Sequence, residues 1–165
     1  MNNPQSISLI FPLYRDRYTV KKVIDKSLKI LKKLKIKYEI IIIDDFCPEK
    51  SGLVALEYSK KNKKIKVIFH KKNYGYGAAI RTGFKNSKYE CVYAVDGDGE
   101  FGMALNDLPR ILKSYKYNDL VITYRYKKRY KTTRIIISWV YNFMLRFLFN
   151  INLITLLFNL NISIP

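Results

Sequence analysis

The chain has 165 residues, 48% of them hydrophobic, and 31 Lys and Arg against 13 Asp and Glu give a formal net charge of +18. That length supports one core-bearing domain, short for most enzymes that use sugars or nucleotides, and the charge favours anionic partners such as nucleotides, phospholipid headgroups or nucleic acid. The abundance of Lys, Ile, Asn and Tyr also fits an AT-rich genome, so the sign of the charge is more informative than its size; most Lys residues are dispersed along helix faces, with small clusters at Lys60 to Lys66 and Tyr126 to Lys131.

In chain order, Ser6 to Phe11 reads as a β-strand closed by Pro12. Val20, Val23, Ile24, Ser27, Leu28, Leu31 and Leu34 then recur at helical spacing with Lys on the other face. Tyr38 to Ile43 is a continuous apolar strand running into Asp44-Asp45, and Leu53 to Lys61 reads as a shorter helix after a loop with Pro48 and Gly52. Ile65 to Phe69 supplies a third strand, Gly75 and Gly77 punctuate a loop, and a helix begins at Ala78 and runs to Lys85. Cys91 to Val95 is a fourth strand, Leu105 to Tyr115 a helix, and Leu120 to Thr123 a fifth strand. Continuous apolar strands alternating with helices indicate an α/β domain with a mostly parallel sheet covered on both faces.

In such sheets ligands sit beyond the carboxyl ends of the strands. The polar residues of interest all fall there: Pro12, Tyr14 and Asp16 after the first strand, Asp44-Asp45 after the second, Asn73 to Gly77 after the third and Arg125 after the fifth. The fourth strand runs into Asp96-Gly97-Asp98-Gly99-Glu100. Three carboxylates at alternate positions of an extended chain lie on one side, and hard oxygen ligands at that spacing suit Mg²⁺ or Mn²⁺ bridging a diphosphate. An isolated pattern of this kind could be a solvated acidic turn; its placement at the shared sheet edge favours the metal site.

Two cysteines, Cys47 and Cys91, lie far apart without metal-ligand spacing, and no signal-peptide pattern precedes the first strand, so the expectation is a reducing, cytoplasmic setting with Cys91 in the core and Cys47 in a loop. The single His70 has no second ligand at useful spacing and is expected to be structural rather than catalytic.

Beyond Tyr130 the pattern changes. Arg134, Ser138, Asn142 and Arg146 form a narrow polar stripe on a helix otherwise faced with large apolar groups, among them Trp139, Tyr141, Phe143 and Phe147. Either a core helix or an interfacial one fits; the width and aromatic content of the apolar arc favour the membrane interface. Arg146 interrupts the stretch, and Ile151 to Leu160 falls short of the ~20 residues a transmembrane span needs. The expected organisation is a catalytic domain over 1–131 and an interfacial helix with an atypical tail over 132–165.

Ser8-Leu-Ile-Phe-Pro-Leu-Tyr14, Ile41-Ile-Ile-Asp-Asp45, Asn73 to Phe84 and Asp96 to Glu100, four motifs in order at successive strand ends, resemble the family 2 glycosyltransferases. The branch most similar is that of dolichol-phosphate mannosyltransferase and the bacterial polyprenyl-phosphate glycosyltransferases, and the resemblance runs from about Ser6 to about Phe149. It implies the GT-A fold, a nucleotide-diphosphate sugar donor of UDP or GDP type, Mg²⁺ or Mn²⁺, and inverting transfer onto a polyprenyl phosphate at the cytoplasmic face of a membrane.

By motif position the resemblance assigns Pro12, Tyr14, Asp16, Ile43 and Asp45 to the nucleotide, Asp16 standing where the family usually has Glu. Asp96 and Gly97 would line the donor site, and Arg81 would serve either local structure in the donor loop or the substrate. Asp98 and Glu100, with Asp96 a further candidate, would hold the metal, Glu100 replacing a common Gln. Arg125 and Arg134, with Ser138 beside them, would clamp the acceptor phosphate, and Asp98, Arg125 and Arg134 would be the catalytic set. The chemistry is consistent: a phosphate acceptor is already ionised near neutral pH, so no strong general base is needed. Bidentate Arg contacts suit a phosphate, and the helix start near Gly77 could offer backbone N–H groups to the donor's diphosphate.

After Phe149 the family's acidic residue and Gly-Phe-Arg-like segment have no match in Ile151 to Pro165, so the expectation is a truncated or frame-shifted product, or else a short variant completed by a partner, in which donor binding outlasts turnover. A sugar nucleotidyltransferase is a rival, but Pro12 to Asp16 is not the Gly-rich basic loop it would want after the first strand. A nucleic-acid binder would rest on charge and 14 tyrosines and leave the acidic edge unexplained, so no nucleic-acid partner is expected.

Overall fold

The computed structural model describes residues 4–95, 105–118 and 121, and the helical positions 133, 136, 137, 139, 140, 143 and 144. Strand β1 (Ser6–Leu13) is followed by α1 (Val20–Leu34), β2 (Lys37–Asp44), α2 (Ser51–Lys61), β3 (Ile65–Phe69), α3 (Tyr76–Lys85), β4 (Val92–Ala94) and α4 (Leu108–Tyr115). The four strands form one parallel sheet in the order β3-β2-β1-β4. The α/β architecture with a parallel sheet is thus the one expected.

Because every strand is parallel and linked by a helix, both sheet faces are covered, and the strands carry apolar residues on both sides. On one face Leu9, Phe11 and Leu13 of β1 join Ile40 and Ile42 of β2, Val23, Ile24 and Leu31 of α1, and Leu108 and Leu112 of α4. On the other, Ile10, Ile41, Ile43, Val92 and Ala94 meet Ala79 of α3, with Ile80 and Phe84 packed against them. Gly83 permits that approach, since a Cβ there would lie 2.9 Å from Ile10 Cδ1. An intruding methyl at a contact this tight costs roughly 1–3 kcal/mol.

Pro12 does not close β1, which runs on to Leu13 in register with Asp44. Ser8 N–H donates to Cys91 O, and Ile10 O accepts from Val95 N–H, so the even-numbered residues of β1 turn their backbone groups toward β4. The last described pairing on that side is Ile10 with Ala94, and Pro12 lies beyond it. A proline there forfeits no described ladder hydrogen bond, which is how a central strand tolerates it.

The helices of the sheet domain begin and end close to expectation, although α2 starts at Ser51 and α3 at Tyr76, each two residues earlier than its apolar spacing suggests. Of the expected fifth strand, only Val121 is described, and it packs against the first core cluster. Cys91 is buried in the core, as expected; Cys47 does lie in a loop, but a buried one, at 8% exposure. By its internal contacts the chain divides into one unit over Met1–Val121 and another over Ile122–Leu160.

Candidate functional site

The chain winds outward from β1 through β2 to β3 and then returns to place β4 on the other side of β1, so the strand order reverses there, and the crevice outside the carboxyl ends of β1 and β4 is where an open α/β sheet takes a ligand. Two loops form its described floor. After β1, Tyr14 N–H donates to Asp16 Oδ2 at 2.9 Å, and Asp16 O accepts from the amides of Thr19 and Val20, both at 3.0 Å, which turns the chain into α1. After β2, Cys47 and Ser51 meet that loop: Arg15 N–H points to Cys47 Sγ at 3.1 Å, Asp16 N–H donates to Ser51 Oγ at 3.1 Å, and Sγ and Oγ lie 3.0 Å apart.

Three non-glycine residues of this floor are left-handed, Arg15 at φ 63°, Phe46 at 59° and Lys50 at 56°. Such a conformation costs on the order of 1–2 kcal/mol in a residue with a side chain, and strain of this sort gathers where surrounding contacts hold a loop for function. Tyr14, Phe46, Tyr74 and Tyr76 stand exposed around the same edge.

The two adjacent aspartates have different tasks. Asp44 is 3% exposed and faces α2: Oδ1 accepts from Cys47 N–H at 2.7 Å and Oδ2 from Gly52 N–H at 2.6 Å. Asp45 faces the other way, across the end of β3. Its Oδ1 takes His70 Nδ1 at 2.6 Å and Tyr74 N–H at 2.9 Å, while Oδ2 takes Gly75 N–H at 2.8 Å. Burial acts to raise the Asp45 pKa, but the hydrogen bonds from His70, Tyr74 and Gly75 and the nearby imidazole outweigh it and hold the carboxyl below its ordinary value. On the far side of the ring, His70 Nε2 lies 2.9 Å from Thr82 Oγ1 of α3.

Pro12, Tyr14, Asp16, Ile43 and Asp45 therefore share one edge, as their positions in the sequence imply. Their availability differs. Tyr14 is 44% exposed, whereas Ile43 is fully buried in the second core cluster and offers the edge only its main chain. Asp45 already accepts three internal donors. Arg81 is exposed on α3. His70, expected to be structural, does bind structure together, yet its partners went unread, as did Thr82, Cys47 and Ser51; the available signal was that His70 also follows a strand end.

Asp96, Gly97, Asp98, Glu100, Arg125, Arg134 and Ser138 lie outside the described residues. Val95, the residue before Asp96 in the sequence, still pairs with β1 through its N–H, which donates to Ile10 O at 2.9 Å. Among the described residues no three His, Cys, Asp or Glu side chains gather as a metal site. Beyond 131, Ile136, Ile137, Trp139, Val140, Phe143 and Met144 are helical and exposed, and Trp139 and Phe143 stack at 5.9 Å. No helix among the described residues is long and apolar enough to cross a membrane.

Comparison with known proteins bears on this edge. A family model described as Glycosyl transferase family 2 matches residues 8–163. The dolichyl-phosphate beta-glucosyltransferase ALG5D of Trichomonas vaginalis is 27% identical over 120 residues, covering 67% of this chain and 37% of its own. The undecaprenyl-phosphate 4-deoxy-4-formamido-L-arabinose transferase of Photorhabdus laumondii is 24% identical over 143 residues, covering 86% of this chain and 43% of its own. The chain thus spans about two fifths of the length of these relatives. Among solved structures, S. aureus TarS 1–349 superposes with a TM-score of 0.54 at 19% identity, over 78% of this chain and 39% of TarS, a likeness of fold.

Proposed function

The chain belongs to glycosyl transferase family 2, and from that premise we propose that it serves metal-dependent, inverting transfer of a sugar from a UDP- or GDP-type donor to a polyprenyl phosphate, dolichyl or undecaprenyl, at the cytoplasmic face of a membrane. Such a product would feed cell-envelope glycan or glycoconjugate synthesis. The observation that carries the reading is the convergence of the β1 and β2 loops at the carboxyl end of the sheet, beside β4, where Val95, just after that strand and directly before Asp96 in the sequence, still pairs with Ile10 of β1. The names of the relatives, which specify dolichyl and undecaprenyl phosphate, support the acceptor class.

In this reading the donor nucleotide lies over the main chain of Pro12 and Ile43, beside Tyr14 and Asp16, with Asp96, Gly97 and Arg81 toward its sugar and diphosphate. Asp45 contributes chiefly by ordering the loop, since its Oδ1 carries two internal donors and its Oδ2 one. Asp98 and Glu100, with Asp96, would hold Mg²⁺ or Mn²⁺, three hard carboxylates fitting a hard divalent ion. A bound divalent ion would offset the negative charge that develops on the departing diphosphate. Arg125 and Arg134, with Ser138, would fix the acceptor phosphate by charge-assisted hydrogen bonds, and the ionised phosphate attacks without a general base.

The test is thermal stability of the purified chain with UDP, GDP and their sugar conjugates, with and without Mn²⁺, beside Asp98→Asn. Stabilisation by one nucleotide that needs the metal and disappears in the variant is the expected result. A folded chain that no nucleotide stabilises would sink the reading.

A further inference from the structure

His70 closes a set of contacts that ties the ends of β2 and β3 to α3. Its own amide donates to Asp44 O at 2.9 Å, which fixes the backbone where β3 ends. Its ring bridges Asp45 Oδ1 at 2.6 Å and Thr82 Oγ1 at 2.9 Å, with the imidazole side chain only 10% exposed. Tyr74 sets its ring edge-on against the imidazole at 5.2 Å and 87°. The carboxylate that His70 holds is the one that grips the amides of Tyr74 and Gly75. Gly75, at φ 88° and ψ 165°, is the cap residue from which α3 departs, a conformation open in practice to glycine alone.

The protonation pattern follows from the partners. An ionised Asp45 can only accept, so Nδ1 carries the hydrogen; Nε2 of the neutral ring then accepts from the Thr82 hydroxyl, and in a protonated ring it donates to the same oxygen. Both ring nitrogens therefore have a partner, Asp45 on one side and Thr82 on the other. A partly buried histidine with both nitrogens engaged, on a carboxylate that itself secures a glycine turn, is an arrangement for holding a loop in one conformation.

We propose that His70 is a positioning residue for donor binding: through Asp45 it fixes the Asn73–Gly75 turn and the first turn of α3, the helix that carries Arg81, in the conformation that the nucleotide sugar requires. This rests on the donor-binding reading above. It also gives Asp45 a duty besides any contact with the nucleotide, because three of the carboxylate's acceptor positions are taken by His70, Tyr74 and Gly75.

Two readouts on the full chain separate the anchor from the donor site. Amide hydrogen exchange at Tyr74 and Gly75 should speed up about tenfold in His70→Ala, the effect of losing one hydrogen bond to a charged group, while Ile42 and Ile43 keep wild-type protection. Affinity for UDP or GDP with Mn²⁺ should weaken by about tenfold, and His70→Asn, whose amide N–H stands near the place of Nδ1, should restore most of both. Unchanged exchange at Tyr74 and Gly75 in folded His70→Ala overturns the anchor; faster exchange with unaltered nucleotide affinity overturns its role in donor binding. If the wild type binds no nucleotide, the donor reading fails and with it the donor role, while the exchange measurement still decides the anchor. If His70→Ala does not fold, Thr82→Val, which removes only the hydroxyl facing Nε2, should raise exchange at the same two amides about threefold, and unchanged exchange there is the overturning result.

Discussion

Gly52 N–H donates to Asp44 Oδ2 at 2.6 Å across eight residues, so the end of β2 caps the start of α2 with a buried carboxylate. The residue at the cap position, Lys50, makes no side-chain cap hydrogen bond, and α2 has no acidic residue in its first turn. Asp44 therefore supplies both the acceptor and the negative charge that a helix N-terminus favours. Asp44→Ala would leave the amides of Cys47 and Gly52 buried without these partners, a loss of about 3 kcal/mol, whereas Asp44→Asn should cost less because one amide oxygen still accepts. Gly52→Ala should destabilise comparably, since its Cβ would meet Phe69 Cε1 at 2.6 Å and collide with Asp44. Denaturant melts of the three variants check the order; an Asp44→Ala midpoint equal to wild type would show that α2 does not depend on this cap.

The depressed pKa of Asp45 has a definite sign in a stability profile. A carboxyl held below its ordinary value of 3.8 binds its proton more weakly folded than unfolded, so its stabilisation is complete above about pH 5 and is lost as pH falls through the folded value. The stability difference between wild type and Asp45→Asn should accordingly be larger at about pH 5 than below about pH 4. Urea melts across that range would show it, and a difference that instead grew on acidification would mean that Asp45 is not ionised in the folded chain.

Much of this edge was legible because strands with two buried faces advertise themselves: Leu9 to Leu13 and Ile40 to Ile43 stand out as apolar runs that end in polar loops. Pro12 misled for a reason that only pairing reveals, namely that its nitrogen lies beyond the last described pairing of β1 with β4. The start of α2 was placed late because its cap comes from Asp44, outside the helix. The Asp45–His70–Thr82 bridge joins positions 25 and 12 residues apart, a separation no local pattern records. Arg15, Phe46 and Lys50 adopt left-handed turns without the glycine that would have announced them.

The two thiols should separate by reactivity. Burial pushes the Cys91 thiol up to about 12. Cys47 is buried too, yet hydrogen bonds from Ser51 and from the amides around it outweigh that burial and bring it below its ordinary value. With a disulfide reagent at pH 8, Cys47 should therefore give the first reactive phase in the folded chain, and Cys91 should react only on unfolding. A first phase that persists in Cys47→Ser and vanishes in Cys91→Ser would reverse this assignment.

Trp139, the sole tryptophan of the chain, is 69% exposed on a helix whose other described apolar residues, Ile136, Ile137, Val140, Phe143 and Met144, are exposed with it. A run of this kind in water leaves large apolar surface uncovered, and an acyl–headgroup boundary would cover it while Arg134 and Arg146 of the same segment meet anionic lipid. Its fluorescence offers a direct check. Adding vesicles that contain anionic lipid should shift the Trp139 emission to shorter wavelength, more strongly at low salt than at high, and neutral vesicles should do so more weakly because the basic charge no longer contributes. Trp139 emission that stays at its aqueous wavelength with every vesicle composition would remove the interfacial role of this segment, leaving the donor site of the sheet domain to be judged on its own.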